Sequence, residues 1–356
     1  MEHPLKQIGE FGLIDQIRQW FNEETTDLLG IGDDCTVIPR DQDHLDLFTT
    51  DLLIEQTHFL IDRIDPADLG HKSLAVNLSD VAAMGGEPLY AWLSIGLTSR
   101  TDLQWLESFF GGMYQLANRH KVRLMGGDTT RSREHLMINI LVAGHARSST
   151  VKLRSAARPN DVIFVTRELG DSGGGLQLLL DSSFELPETR PDQSGPETPE
   201  QVLIRAHNRP LAEVEQGRWL GKKPAVHALI DISDGIASDA GHIANRSGVS
   251  MNLEVDQLPL SNALRSVSEK NGWNALELAL SAGEDYALLG TCDPAYWEQL
   301  QEEWNHLFRT PLYRTGTVSA PEAPPSERSM TQGGFVRFFK NGKPMRRGSK
   351  GFDHFR

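Results

Sequence analysis

Residues 45–54 read LDLFTTDLLI. An apolar and β-branched run of this length suits a buried strand, yet its centre carries Thr49, Thr50 and Asp51. Residues 135–144, HLMINILVAG, have the same character. Between the two runs the apolar period becomes helical. Asp68 can cap a helix that places Leu74, Leu78 and Val81 on one face and stops at Gly85-Gly86 and Pro88. A second helix over 101–119 would turn Leu103, Leu106, Phe110 and Met113 to a core. Strand-like runs return at 162–166, 225–232, 249–255 and 285–289, each separated from the next by Gly-rich turns or helical patterns. Strands and helices that alternate along the whole chain predict an α/β protein.

The chain has 356 residues, a length that favours two domains. Their boundary is expected between 146 and 161, giving an N-terminal domain of about 1–150 and a C-terminal α/β domain of 151–356. Residues 183–200, SFELPETRPDQSGPETPE, are rich in Pro, Glu and Ser and read as a loop inserted in the second domain. Lys+Arg 35 against Asp+Glu 49 leaves a net charge of −14, which argues against a broad nucleic-acid or anionic-membrane surface. An anionic ligand would need local basic groups or metal ions. Two cysteines, Cys35 and Cys292, make neither a disulfide framework nor a zinc site and point to a reducing cytoplasm. The first ten residues lack a signal-peptide core, and no run is long enough to span a bilayer.

Four segments place an acidic residue beside glycine after an apolar run: Gly30-Ile31-Gly32-Asp33-Asp34, Gly126-Gly127-Asp128, Asp231-Ile232-Ser233-Asp234-Gly235 and Gly283-Glu284-Asp285. Each alone is also an ordinary turn. Together they suggest carboxylates projecting at strand ends, where α/β folds bind ligands. Asp80 has no Lys or Arg three or four residues away; it is either a solvent-facing aspartate beside Asn77 or a cation ligand. Oxygen-only donors from Asp and Thr suit Mg²⁺, and Mg²⁺ in turn implies a phosphate ligand such as ATP. No Walker A loop and no protein-kinase signature supplies the cradle. Gly170–Gly175 opens a helix that either binds an anion or simply packs tightly.

The segments GIGDDCT (30–36), TTD (49–51), THF (57–59), DPADLGHKSLAVNLSDVAAM (65–84), GGDTT (126–130), DISDG (231–235), AGEDY (282–286) and KGFDH (350–354) occur in an order that resembles the thiamine-monophosphate kinase family over nearly the whole chain. The acidic motifs are shared with a wider PurM-like superfamily that includes aminoimidazole ribonucleotide synthetase and selenophosphate synthetase. The elements around His58, Glu284 and Phe352 narrow the resemblance to the kinase.

The resemblance implies a homodimer joined through the N-terminal sheets, with ATP and several Mg²⁺ between the two domains of each chain. It implies direct in-line transfer from ATP to thiamine phosphate, with no covalent nucleophile. Asp34, Thr49, Thr50, Asp51, Asp80, Asp128, Asp231 and Asp234 match metal ligands; Gly127, Asp128, Arg154 and Ser233 match ATP contacts; His58, Glu284 and Phe352 match groups that hold thiamine. An aromatic face and a carboxylate suit a cationic thiazolium and an aminopyrimidine. Neighbours on a regular strand face opposite ways, so joint ligation by Thr49, Thr50 and Asp51 requires a bend or a backbone carbonyl. The runner-up readings are an ATP-dependent synthetase of the same superfamily and a non-catalytic nucleotide- or metal-binding protein. A selenophosphate synthetase would carry a reactive Cys in a glycine-rich N-terminal segment, whereas Cys35 follows Asp34.

Overall fold

The computed structural model describes residues 5–21, 28–185, 196–321 and 334–345. Two sheets organise them. After helix α1 (Leu5–Trp20) the first sheet collects β1 (Thr36–Pro39), β2 (His44–Ile54), β3 (Glu87–Leu97), β4 (Arg123–Arg131) and β5 (Met137–Arg147) in the order β1-β2-β5-β3-β4. Helices α2 (Pro66–Ala83) and α3 (Leu103–His120) lie between these strands in sequence. The second sheet runs β12-β11-β8-β10-β6-β9-β7. Its strands are β6 (Val162–Val165), β7 (Val226–Asp231), β8 (Ser250–Glu254), β9 (Leu288–Cys292), β10 (Tyr313–Ser319), β11 (Phe335–Lys340) and β12 (Lys343–Met345). Helices α4 (Asp171–Leu180), α5 (Pro199–Asn208), α6 (Val214–Gly221), α7 (Ile236–Ser247), α8 (Asn262–Asn271), α9 (Ala275–Ser281) and α10 (Trp297–Phe308) complete the chain. Both sheets are mixed, each with one parallel pair: β3 with β4 and β8 with β11. The fold is α/β throughout.

Strand β2 pairs with β5 from His44↔Arg147 to Ile54↔Met137 without a break. Alternation therefore sends Leu47, Thr49, Asp51 and Leu53 towards α2, and Thr50 and Leu52 to the other face. Leu47 and Leu53 are buried, while Leu52 is exposed, as are Tyr90 and Trp92 of β3 and Met137 of β5. One face of the first sheet is thus covered by helices and the other is open.

Helix α2 is the pivot of the molecule. Fifteen of its eighteen residues are buried, because it contacts β2 and β5 on one side and β7 and α6 on the other. Its cap is Asp65, whose side chain accepts the Ala67 N–H at 2.8 Å, with Pro66 at the first helical position. Asp68, the expected cap, sits in the first turn and pairs with Arg209 at 2.7 Å. Helix α3 approaches α2 closely, and a Cβ on Gly112 would lie 1.8 Å from the Ala67 carbonyl oxygen. Its buried stripe is Phe109, Met113 and Leu116; Leu103 and Phe110 face outward, because Asp102 caps the helix and Trp105 stacks on Phe109.

A single apolar core links Leu47, Ile138 and Ile140 of the first sheet to Val226, Leu229 and Leu288 of the second. The opposite face of the second sheet packs Ile163, Val165, Ile230, Met251 and Leu289 against α7 and α9. Strand β9 starts at Leu288, three residues beyond the expected start, because Glu284 and Tyr286 have φ of 55° and 51° and cannot lie in a ladder. Residues 186–195 of the expected insertion lie outside the described residues. Its C-terminal end is regular: Thr198 and Gln201 form a capping box that starts α5.

Candidate functional site

Three carboxylates separated widely in sequence meet where α2 passes between the sheets. Asp34 precedes β1, Asp80 lies near the end of α2 and Asp231 closes β7. One oxygen from each lies within 4.8 Å of the others. The Thr49 hydroxyl donates to Asp80, and the Ser79 hydroxyl donates to Asp231 Oδ2 at 2.6 Å. Asp51 lies beside them, its N–H donating to Asn77 Oδ1 at 3.1 Å. Asp33 adds a fifth carboxylate, accepting the Arg154 N–H at 3.2 Å.

Burial, then repulsion from neighbouring carboxylates, pushes Asp80 and Asp231 well above the ordinary range. Burial also lifts Asp51 to about 6, and burial followed by the Asp34 charge lifts Asp33 to about 7. Arg154 forks onto Asp34, with Nη2 to Oδ1 at 2.5 Å and Nε to Oδ2 at 3.2 Å. Burial would lower its guanidinium, but Asp34 and Asp33 outweigh that and raise it. One guanidinium cannot balance five carboxylates. Hard, anionic oxygen donors this close, with their charge unmatched, fit divalent cations of the Mg²⁺ type.

A second group follows in sequence. Asp234, Asp239 and His242 also bring one ligand atom each within 4.8 Å. Asp239 is buried and accepts the Asp234 N–H at 3.3 Å.

Two expected ligands stand apart. Thr50 faces the open side of the sheet, where its hydroxyl accepts from Asn139 Nδ2 at 2.9 Å; β2 does not bend to bring it round. Gly127 and Asp128 lie on β4, an edge strand whose residues are all exposed. Strands β5 and β3 intervene between β2 and β4, so at about 4.8 Å per strand Asp128 is displaced by roughly 14 Å from β2. A side chain at Gly127 would strike the Leu93 carbonyl oxygen, 1.7 Å from the Cβ position.

Beside the acidic group opens a cleft of about 320 Å³, lined by Asp51, His58, Arg63, Ser233, Glu284 and Tyr286 among others. His58 Nδ1 accepts the Ile54 N–H at 3.0 Å, which leaves the ring proton on Nε2. Glu284 is paired with Lys72 at 3.0 Å and with His207 at 3.2 Å. Burial alone would raise its carboxyl, but Lys72 and then His207 overcome that and hold it below its ordinary value. Phe352 lies outside the described residues.

Sequence reasoning placed Asp33 in an acidic segment without giving it a role, and missed Lys72, Ser172, His207 and Asp239. A signal for Lys72 was present: the helix from Leu69 to Ala83 is small or apolar around most of its circumference, and a lysine in a helix buried on all sides must be paired. His207 and Ser172 carry no such mark.

A family model described as "AIR synthase related protein, N-terminal domain" matches residues 32–146, the span of the first sheet with Asp34 and Asp80. Over those residues the first sheet and its share of the acidic group are those of the N-terminal domain of AIR-synthase-related proteins. The thiamine-monophosphate kinase of Salmonella typhimurium is 37% identical over 349 residues, 98% of each chain. The solved structure "AaThiL complexed with AMPPCP and TMP" matches with a TM-score of 0.80 at 34% identity, covering 99% of each chain. The thiamine monophosphate kinase of Aquifex aeolicus matches with a TM-score of 0.75 at 32% identity, over 96% of this chain and 99% of that one. The chain belongs to the thiamine-monophosphate kinase family.

Proposed function

We propose that this protein transfers the γ-phosphoryl group of ATP to thiamine phosphate, giving thiamine diphosphate and ADP by direct in-line displacement. The observation that carries the reading is the meeting of Asp34, Asp80 and Asp231 beside Thr49, Asp51 and the cleft. The full-length kinase relatives, one complexed with AMPPCP and TMP, support the substrates.

Asp34, Thr49, Asp51, Asp80, Asp231 and Asp234 would hold Mg²⁺ ions. When bound, these ions screen the carboxylates from the triphosphate and neutralise charge that develops during transfer. Arg154 already lies among the acidic groups, and its Nη1 has no hydrogen-bond partner among the described residues, so it can reach a phosphate oxygen while keeping Asp34. Ser233 lies at the cleft between the acidic group and Glu284 and would contact ATP. His58 and Glu284 line the cleft and would take the thiamine moiety with Phe352. The acceptor phosphate is largely ionised near neutral pH and needs no protein base. A covalent detour has little support, since Cys35 is buried and its thiol is pushed up by burial and then by the surrounding aspartates.

Two domains divided at about residue 150 would each hold one sheet, with Asp34 and Asp80 supplied by the first and Asp231 by the second. Homodimerisation through the open face of the first sheet would cover Leu52, Tyr90, Trp92 and Met137. That face also carries Thr50 and Asp128, so pairing two copies offers a route by which both could join a site completed by the second chain. Light scattering that returned a monomer at micromolar concentration would sink this part. Among the described residues no helix is long and apolar enough to cross a membrane, and two buried free cysteines suit the cytoplasm.

The test is an assay of the purified chain with Mg²⁺, γ-labelled ATP and, in turn, thiamine, thiamine phosphate and aminoimidazole precursors. Label should appear in thiamine diphosphate alone, and rapid mixing with ATP should leave none on the protein. A stoichiometric phosphoenzyme, or label in another acceptor, rejects the reading.

A further inference from the structure

At the floor of the cleft lies a buried ammonium that the phosphoryl chemistry does not use. Lys72 has no exposed side-chain surface, and its three N–H donors meet three acceptors: Glu284 Oε2 at 3.0 Å, the His58 carbonyl at 3.4 Å and His207 Nε2 at 3.5 Å. An ammonium only donates, so His207 Nε2 accepts and the ring proton sits on Nδ1. That nitrogen lies 3.2 Å from the same Glu284 oxygen and 3.0 Å from the Ser172 hydroxyl. Burial, then Lys72, keeps the imidazole neutral by lowering its pKa to about 3. Oε2 therefore accepts from Lys72 and is flanked by the neutral ring of His207. Among the described residues Oε1 has no hydrogen-bond partner, and the Glu284 side chain keeps 23% of its surface open at the cleft.

The backbone around Glu284 is fixed as firmly as its side chain. Its N–H donates to the Ser233 carbonyl at 2.7 Å. The next residue, Asp285, accepts the Gly170 N–H at 2.8 Å, tying the loop to α4, which carries Ser172.

We propose that Lys72, acting through Glu284, is a positioning residue that sets substrate choice: with His207 it pins Oε2 and presents Oε1 to the exocyclic amine of the aminopyrimidine. The site then selects an amine donor over a ring carbonyl at that position. This rests on the reading of the cleft as the thiamine phosphate site. An ionised carboxylate accepts and cannot donate, so a carbonyl there sets acceptor against acceptor and leaves both unpaired. Sites that hydrogen-bond a substrate group reject analogues lacking it more strongly than sites that rely on shape. Without Lys72 no ammonium fixes Oε2, leaving only the neutral His207 beside it, and a protonated carboxyl can then donate to the carbonyl analogue.

The experiment compares wild type and Lys72→Met on thiamine phosphate and on oxythiamine phosphate, in which a carbonyl replaces the amine. It reads kcat and KM for each, KM for ATP and melting temperature. Wild type should prefer the amine by at least about tenfold in kcat/KM; Lys72→Met should narrow that preference to about threefold or less, with KM for ATP within about twofold. A folded Lys72→Met with wild-type preference overturns the proposal, as does a wild type with no preference. Should Lys72→Met fail to fold, Ser172→Ala keeps the ion pair and frees only His207; a narrowing of about two- to fivefold supports the proposal and an unchanged preference overturns it. A wild type inactive on thiamine phosphate instead rejects the reading of the cleft, so the two failures are distinguishable.

Discussion

The acidic group and the Glu284 floor lie on either side of one cleft and are opposite constructions. In the first, five buried or half-buried carboxylates face one guanidinium among the described residues; burial raises the proton affinity of Asp33, Asp51, Asp80 and Asp231, and repulsion from neighbouring carboxylates adds to it at Asp33, Asp80 and Asp231. In the second, a buried ammonium and an imidazole meet one carboxylate and lower its proton affinity. Like charges held together without counter-charge are stable only when something else neutralises them. The first region therefore has the chemistry of a cation site, the role proposed for it above. The second is complete in itself and offers a single fixed acceptor to whatever enters.

The strongest way to break that contrast is Asp80→Asn. The substitution removes one charge from the cluster with little change in volume, so kcat should fall by at least about a thousandfold. Because repulsion is relieved, the metal-free protein should melt at the same temperature or higher, while the stabilisation given by Mg²⁺ shrinks. An ordinary active-site lesion with a collapsing fold would do the reverse on both counts. Near-normal kcat in this variant would show that Asp80 holds no essential cation.

Much of the cluster was legible in the sequence because its members share one local pattern. The segments 30–34 and 231–235, each joining glycine and aspartates after an apolar run, mark Asp34 and Asp231 without any knowledge of the fold. Asp80 was readable as unusual but ambiguous; its partners, Thr49 and Asp231, lie 31 and 151 residues away and only the packing of α2 joins them. The strands at 45–54 and 135–144 were clear from their apolar runs. Strand β4 was not, since RLMGGDTTR is exposed on both faces and has no burial pattern to read. The floor of the cleft was half legible: His58 and Glu284 stand out through the family resemblance, whereas Lys72 is marked only by the small and apolar residues around its helix, and its partners Glu284 and His207 appear only in the fold.

A middle-sized effect sharpens the contrast through pH. Asp51 and Asp33 titrate at about 6 and about 7 in the folded chain against 3.8 ordinarily, so between pH 4 and 7 the folded state binds more protons than the unfolded one. Stability of the metal-free protein should therefore fall as pH rises through that window, by up to about 1.4 kcal/mol per pH unit for each group. Glu284 has the opposite sign: its stabilisation is present above its ordinary value of 4.5 and is lost as pH falls through its lower folded value. Saturating Mg²⁺ at about a hundred times its Kd adds about 2.7 kcal/mol and, by favouring ionised aspartates, should flatten the slope between pH 5 and 7. Melting curves across pH with Mg²⁺ and with EDTA test this; a metal-free protein that gains stability from pH 5 to 7 contradicts the acidic group as drawn.

The smallest expected effect separates the thiamine side from the ATP side. Phe352 is expected to stack on the cationic ring of thiamine, a contact worth on the order of 1–3 kcal/mol. Phe352→Ala should then raise KM for thiamine phosphate by about tenfold, since 1.4 kcal/mol corresponds to a factor of ten, and leave KM for ATP within about twofold. In the proposed roles the aromatic ring and the Glu284 oxygen act on different parts of the substrate, so the loss should be similar for the amine and carbonyl analogues, unlike the loss from Lys72→Met. If Phe352 only anchors the C-terminal segment, the variant lowers the melting temperature and weakens both substrates together. Equal loss for ATP and thiamine phosphate with reduced stability assigns Phe352 to packing; selective loss with an unchanged melting temperature assigns it to the substrate.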